Sequence, residues 1–207
     1  MVQNDELFPL AIGGLADLVL KTAVSSSSHI EGEYSSGLSR FFLKRRFSEC
    51  DFQSLVAEFS IVLLHYIDRV AFRILSQEQR HEFMDALLLS VNHLGCNQPM
   101  NEIHRVPAFV SERSPGITVC GLSSELYTLR VNEYRELKDI PGEGEPQLTG
   151  TLGGEFGKYI SQICDKYGLV SSKIQFLANV LVLSAFPHLI ALTSEVVTAL
   201  FKSTDSS

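Results

Sequence analysis

LLHYIDRVAFRIL, residues 63–75, sets four ionisable side chains, His65, Asp68, Arg69 and Arg73, inside an apolar run. Extended back to Glu49, the segment carries apolar residues at Phe52, Leu55, Val56, Phe59, Val62, Leu63, Tyr66, Ile67, Val70 and Ile74, which is helical spacing. Ile61, Leu64, Ala71 and Phe72 fall on its other faces. A helix that is apolar nearly all round belongs at the centre of a fold. On this helix Glu58, His65, Asp68, Arg69 and Phe72 share one stripe, because residues three and four apart are surface neighbours. Arg73 lies one turn beyond Arg69.

The stripe supports two readings. As architecture it is a paired seam in which Asp68 or Glu58 satisfies Arg69 and His65 bonds a neighbour, since a buried charge must be paired. As a site it is a small ligand-binding set of Glu58, His65, Asp68, Arg69 and Arg73. His65 and Asp68 would then share a proton or a metal, and Arg69 would hold an anion. Di-iron bundles use Glu-x-x-His pairs from several helices; this stripe contains no such pair, so no metal is expected here. The paired seam is the preferred reading. The segment LRVNEYREL, 129–137, brings Arg130, Glu133 and Tyr134 at helical spacing, and Glu133 is expected to pair with Arg69 or Arg73 if that helix faces the first.

Helix boundaries follow from capping residues. Ser48 with Asp51 starts the first long helix, 49–75, and Ser76 with Gln79 forms a fuller capping box for a second helix ending near Leu94, with Gly95 as its stop. Ser123 or Ser124 caps a helix over 125–137; a further helix covers 154–167, with Gly168 as its stop. Ser171 or Ser172 caps the last one, which reaches Lys202 with Pro187 expected to kink or divide it. Between the second and third helices, 96–121 contains Pro99, Pro107, Pro115 and Gly116 and reads as a long irregular loop, with a short strand conceivable at 117–120. The stretch 141–150 reads as a second loop, and 203–207 as a frayed tail. At the other end, 1–24 carries a weak helical pattern, and SSSSHIEGEYSSG, 25–37, has linker composition. The expected organisation is therefore all-α: one helical-bundle domain of five or six helices over 38–202, preceded by the weak helix and Ser/Gly-rich linker of 1–37.

Composition narrows the function classes. With 207 residues, 45% hydrophobic and 20% charged, the chain can bury a core unaided. A net charge of -7 argues against a nucleic-acid partner, whose phosphates call for basic surface. Cys50, Cys96, Cys120 and Cys164 are widely spaced, which suits reduced thiols and a cytoplasmic location. Acidic residues Asp5, Glu6 and Asp17 at the start do not suit a signal peptide. IQFLANVLVLSAFPHLIALTS, 174–194, has no charged residue and is long enough to span a bilayer, but Gln175, Asn179, Ser184, Pro187 and His188 favour a core helix of a soluble bundle.

Other motifs fail on spacing. His93, Cys96, His104 and Cys120 lack the paired spacing of a zinc site. GTLGGEFGK, 150–158, has Leu152 where a phosphate loop needs Gly and Tyr159 where it needs Ser or Thr; its glycines instead permit a turn and close helix approach. RFFLKRRF, 40–47, is basic and aromatic but too short for an electrostatic footprint. No Gly-x-Ser-x-Gly elbow is present. The expectation is a non-enzymatic interaction or regulatory protein with no cofactor. The alternatives are a small-molecule or metal-binding bundle built on the stripe, and a membrane-associated protein acting through 174–194. Because 49–75 and 172–202 are both apolar on more than one face, a homodimer is expected, and a further protein partner fits the same reading.

Overall fold

A computed structural model of the chain describes residues 4–36, 48–97, 124–137, 151–165 and 171–201. They form six α-helices in an all-α bundle: α1 (Asn4–Ser36), α2 (Glu49–Ile74), α3 (Gln77–Asn97), α4 (Ser124–Arg135), α5 (Leu152–Asp165) and α6 (Ser171–Phe201). The 40–47 segment, the 117–120 strand, the 141–150 loop and the 203–207 tail lie outside the described residues, as does all but the start of the 96–121 loop.

α2 is the central helix. Every residue from Leu55 to Asp68 is buried, so four consecutive turns have no solvent face. Its start is held by Ser48, whose hydroxyl accepts from the Asp51 amide at 3.2 Å. At its end Leu75 donates its amide to Ala71 O, and the Ser76 capping box then starts α3: the Gln79 amide donates to Ser76 Oγ at 3.3 Å and the Ser76 amide to Gln79 Oε1 at 3.1 Å. The two helices thus form a tight hairpin. α3 continues through Gly95, which is buried within the helix rather than ending it.

The largest departure from the sequence reading is α1. The expected linker over 25–37 is helical through Ser36, and residues from Ile12 to Ile30 belong to the same apolar core as α2. The serines that suggested a linker are what let the helix close on its neighbours. Ser27 donates to Ala23 O and Ser28 to Val24 O, each at 2.8 Å, so both hydroxyls are satisfied inside their own helix while fully buried. α1 runs antiparallel to α6. The Phe8 ring meets Phe201 edge-on at 6.1 Å at one end, and Lys173 Nζ reaches Glu33 Oε2 at 2.6 Å at the other.

α5 and α6 form the second hairpin. Thr151 caps α5 by accepting the Gly154 amide at 3.1 Å, two residues ahead of the expected start. The expected close approach is present. A Cβ built on Gly153 would stand 2.2 Å from Asn179 Oδ1, and one on Gly157 3.2 Å from the Cα of Gln175. Pro187 lies inside α6 without dividing it. The carbonyl of Leu183, whose helical partner Pro187 removes, lies on the exposed side of α6, where that loss is least costly. Phe59–Phe156 at 5.0 Å and Tyr66–Phe186 at 4.5 Å tie both helices of this hairpin to α2.

The glycines yield a contrast. Gly14, exposed in α1 with nothing within 4 Å of an added Cβ, should gain about 0.5 kcal/mol of stability on Gly14→Ala through loss of unfolded-state freedom. Gly153→Ala should instead lose about 1–3 kcal/mol, because Asn179 is buried and its amide is bonded to Gln175 O. Urea unfolding midpoints of the two variants, expected to move in opposite directions, check this.

Candidate functional site

α2 presents its ionisable groups to α3 on one side and α4 on the other, and its two buried carboxylates in this stretch, Glu58 and Asp68, are each met by an arginine from a different helix. Glu58 is paired with Arg130 of α4. Arg130 Nε and Nη2 both donate to its carboxylate, the closest contact being 2.9 Å. Arg130 Nη1 also donates to Glu133 Oε2 at 3.0 Å, and its guanidinium lies 3.5 Å from the centre of the Tyr159 ring. The Tyr159 hydroxyl donates to Glu133 at 2.7 Å, which extends the network into α5. Burial pushes the Glu58 carboxyl above its ordinary pKa, against the opposing pull of Arg130. Burial also works against the Arg130 charge, but the carboxylates of Glu58 and Glu133 overcome it and hold the guanidinium charged.

One turn past His65, Asp68 faces α3. Arg80 Nε and Nη2 donate to its two oxygens at 2.6 Å each, a bidentate fork, and the same guanidinium lies 5.1 Å from the Phe72 ring. That hydrogen bonding raises the pKa of Arg80 despite partial burial. Arg69 turns toward α4, where its Nη2 donates to the carbonyl of Leu137 at 3.0 Å. The His65 ring is buried among aromatics, with Tyr134 at 5.7 Å and Tyr66 at 6.4 Å between ring centres. Tyr134 is fully buried, its hydroxyl has no hydrogen-bond partner among the described residues, and burial drives its pKa well above the ordinary phenol value.

The seam is therefore paired, but not as its spacing suggested. Neither Asp68 nor Glu58 bonds Arg69, and Glu133 meets Arg130 and Tyr159 rather than Arg69 or Arg73. The reason is geometric: α4 lies along α2 with Arg130 beside Glu58, and the Leu137 carbonyl, just past the end of α4, lies beside Arg69. Arg73 is exposed in the last turn of α2 and stands apart from the group. His65, Asp68 and Arg69 do come together, lining a cavity of about 300 Å³ between α2, α3 and α4. Arg80, Val131 and Arg135 complete its wall with Phe72. Arg80 and Arg135 were not singled out from sequence. Arg80 sits in a polar helix whose charges look like a solvated face, and Arg135 carries no local mark.

A second concavity, about 670 Å³, lies between α1 and α3, with Leu10 and Leu89 on its walls, 77% and 72% exposed. Of the residues weighed as zinc ligands, His93 lines this groove, while His104 and Cys120 lie outside the described residues. Among the described residues no cluster of His, Cys, Asp and Glu is suited to a metal ion. Two segments, Leu7–Glu33 and Ser172–Phe201, are long and apolar enough to cross a membrane by length and composition.

No protein-family model, curated protein or solved structure matches the chain.

Two outcomes follow from this geometry. Glu58→Ala removes the partner of an arginine whose side chain is only 15% exposed and should destabilise the fold by about 3 kcal/mol, whereas Glu58→Leu combined with Arg130→Met should recover most of that loss; urea titrations of the three proteins measure both. Cys164, buried with its thiol pKa pushed up to about 12, should resist alkylation at pH 8 until the protein unfolds, while exposed Cys50 reacts in the native state, as peptide mapping by mass spectrometry would show.

Proposed function

We propose that this chain is a non-enzymatic helical interaction protein that works as a homodimer, joined through the outer face of α6. Three features support the reading. The carboxylates of the polar seam are committed to arginines that hold helices together, Glu58 to Arg130 and Asp68 to Arg80, which is an architectural use of charge. The buried thiol of Cys164 stays protonated and is a poor nucleophile.

The third feature, the face of α6 itself, carries the proposal. Phe176, Val180 and Leu183 are 66%, 43% and 55% exposed and fall on one side of the helix with Pro187 and Ala191. The same side carries no charge between Lys173 and Glu195. These two residues are equidistant from Ser184. A second copy laid antiparallel across a two-fold axis near Ser184 brings each Lys173 opposite the partner's Glu195 and sets apolar residues against each other between them. Charge complementarity at both ends and none in the middle is what an isologous helix pair requires; Lys173, bonded to Glu33 on one side, is still 64% exposed. One helix pair lies at the small end of stable interfaces, so dissociation is expected on the order of micromolar concentration.

The measurement is light scattering across a concentration series, without detergent. Wild type should pass from monomer to dimer, and Leu183→Glu, which places two like charges beside the axis, should stay monomeric with an unchanged unfolding midpoint. A wild-type monomer at every concentration would sink the proposal, and protein that remains in solution only in detergent would put a bilayer on the α6 face instead.

A further inference from the structure

The cavity between α2, α3 and α4 has a charge that opposes that of the molecule. The chain carries a net charge of -7, yet among the described residues the cavity is lined by three guanidinium groups, Arg69, Arg80 and Arg135, against one carboxylate, Asp68. Asp68 gives both oxygens to Arg80 at 2.6 Å and so has little left to offer Arg135. Arg135 is exposed at the mouth and has no ion-pair partner among the described residues. A concave, positively charged site in an acidic protein concentrates anions from solution.

The site is also built in advance. Arg80 is held in plane by its fork to Asp68 and lies against the Phe72 ring, and the Leu137 carbonyl fixes the orientation of Arg69. Guanidinium groups already oriented lose little freedom when they bind; the Arg80 fork is taken by Asp68, which leaves its Nη1 and the planar fork of Arg135 to meet the oxygens of a carboxylate or phosphate. His65, 3% exposed, forms the closed end and adds a ring that bonds through either nitrogen. At about 300 Å³ the cavity stands at the lower limit of ligand pockets, which restricts the guest to a few non-hydrogen atoms around its anionic group.

We infer that this cavity binds a small oxyanion, a free phosphate or a short carboxylate, with Arg135 and Arg80 as its principal contacts and His65 behind it. The site is separate from the α6 face, so the inference goes beyond the dimer reading and stands or falls independently of it.

Calorimetric titration of the full chain in low-salt, chloride-free buffer tests it, with inorganic phosphate as one probe and succinate as the other. At least one probe should give a saturable one-to-one isotherm, and the stronger of the two identifies the class of anion. Arg135→Ala should weaken that binding by about tenfold or more, the equivalent of one lost charge-assisted contact, without moving the unfolding midpoint of the unliganded protein. Arg73→Ala, which removes an exposed arginine outside the cavity, should leave it unchanged. Heats that never saturate with either probe would overturn the inference. So would equal affinity in wild type and Arg135→Ala, or a loss in Arg73→Ala as large as that in Arg135→Ala, which would mean general surface attraction.

Discussion

The bidentate pair between Glu58 and Arg130 joins the middle of a helix that has no solvent face to one 72 residues further along the chain. Removing water from Glu58 is unfavourable, and only a fixed counter-charge makes that burial tolerable. α4 is short and polar and has little apolar surface of its own to hold it in place. The ion pair, the Arg130–Tyr159 contact and the burial of Tyr134 fix its position, and α4 in turn supplies Arg135 and Val131 to the cavity. The arrangement of the polar side of the bundle thus depends on the counter-charge demanded by one carboxylate.

The apolar side follows a different rule. α1, α5 and α6 approach α2 through small residues and through polar side chains that satisfy themselves. Ser27, Ser28, Ser60 and Thr193 each bond a carbonyl four residues back, so they occupy buried helix faces without needing a partner elsewhere. Gly153 and Gly157 let α5 come against Asn179 and Gln175. Once α6 is held at this distance, its inner face meets α2 and α5 and its outer face is left with Phe176, Val180 and Leu183 in the open. The apolar length of α6 is thus divided between a core and a surface, and the uncharged run from Ile174 to Ser194 cannot distinguish the two.

The proposed dimer face and the anion cavity use opposite physical means at distant places. The first is non-directional and is given its register only by the charges at its ends. The second is directional, with guanidinium planes held by Asp68 and the Leu137 carbonyl before any guest arrives. α2 separates them, packing against α6 through Tyr66 and against α3 and α4 through Asp68 and Glu58.

From the sequence alone, the all-α class, the central place of 49–75, the Ser48 and Ser76 caps and the close approach allowed by the glycines of 153–157 were all legible. Each depends on residues within a few positions of one another: a period of 3.6, a hydroxyl three residues from an amide, a missing side chain. Tertiary structure decided the rest. Whether SSSSHIEGEYSS was linker or helix depended on what packed against it, because serine suits a loop in water and a helix in a core. Likewise Glu58, Asp68 and Arg69 were visibly in need of partners, but Arg130, Arg80 and the Leu137 carbonyl were chosen by how α3 and α4 cross α2. Charge pairing acts through space and leaves no period in the chain.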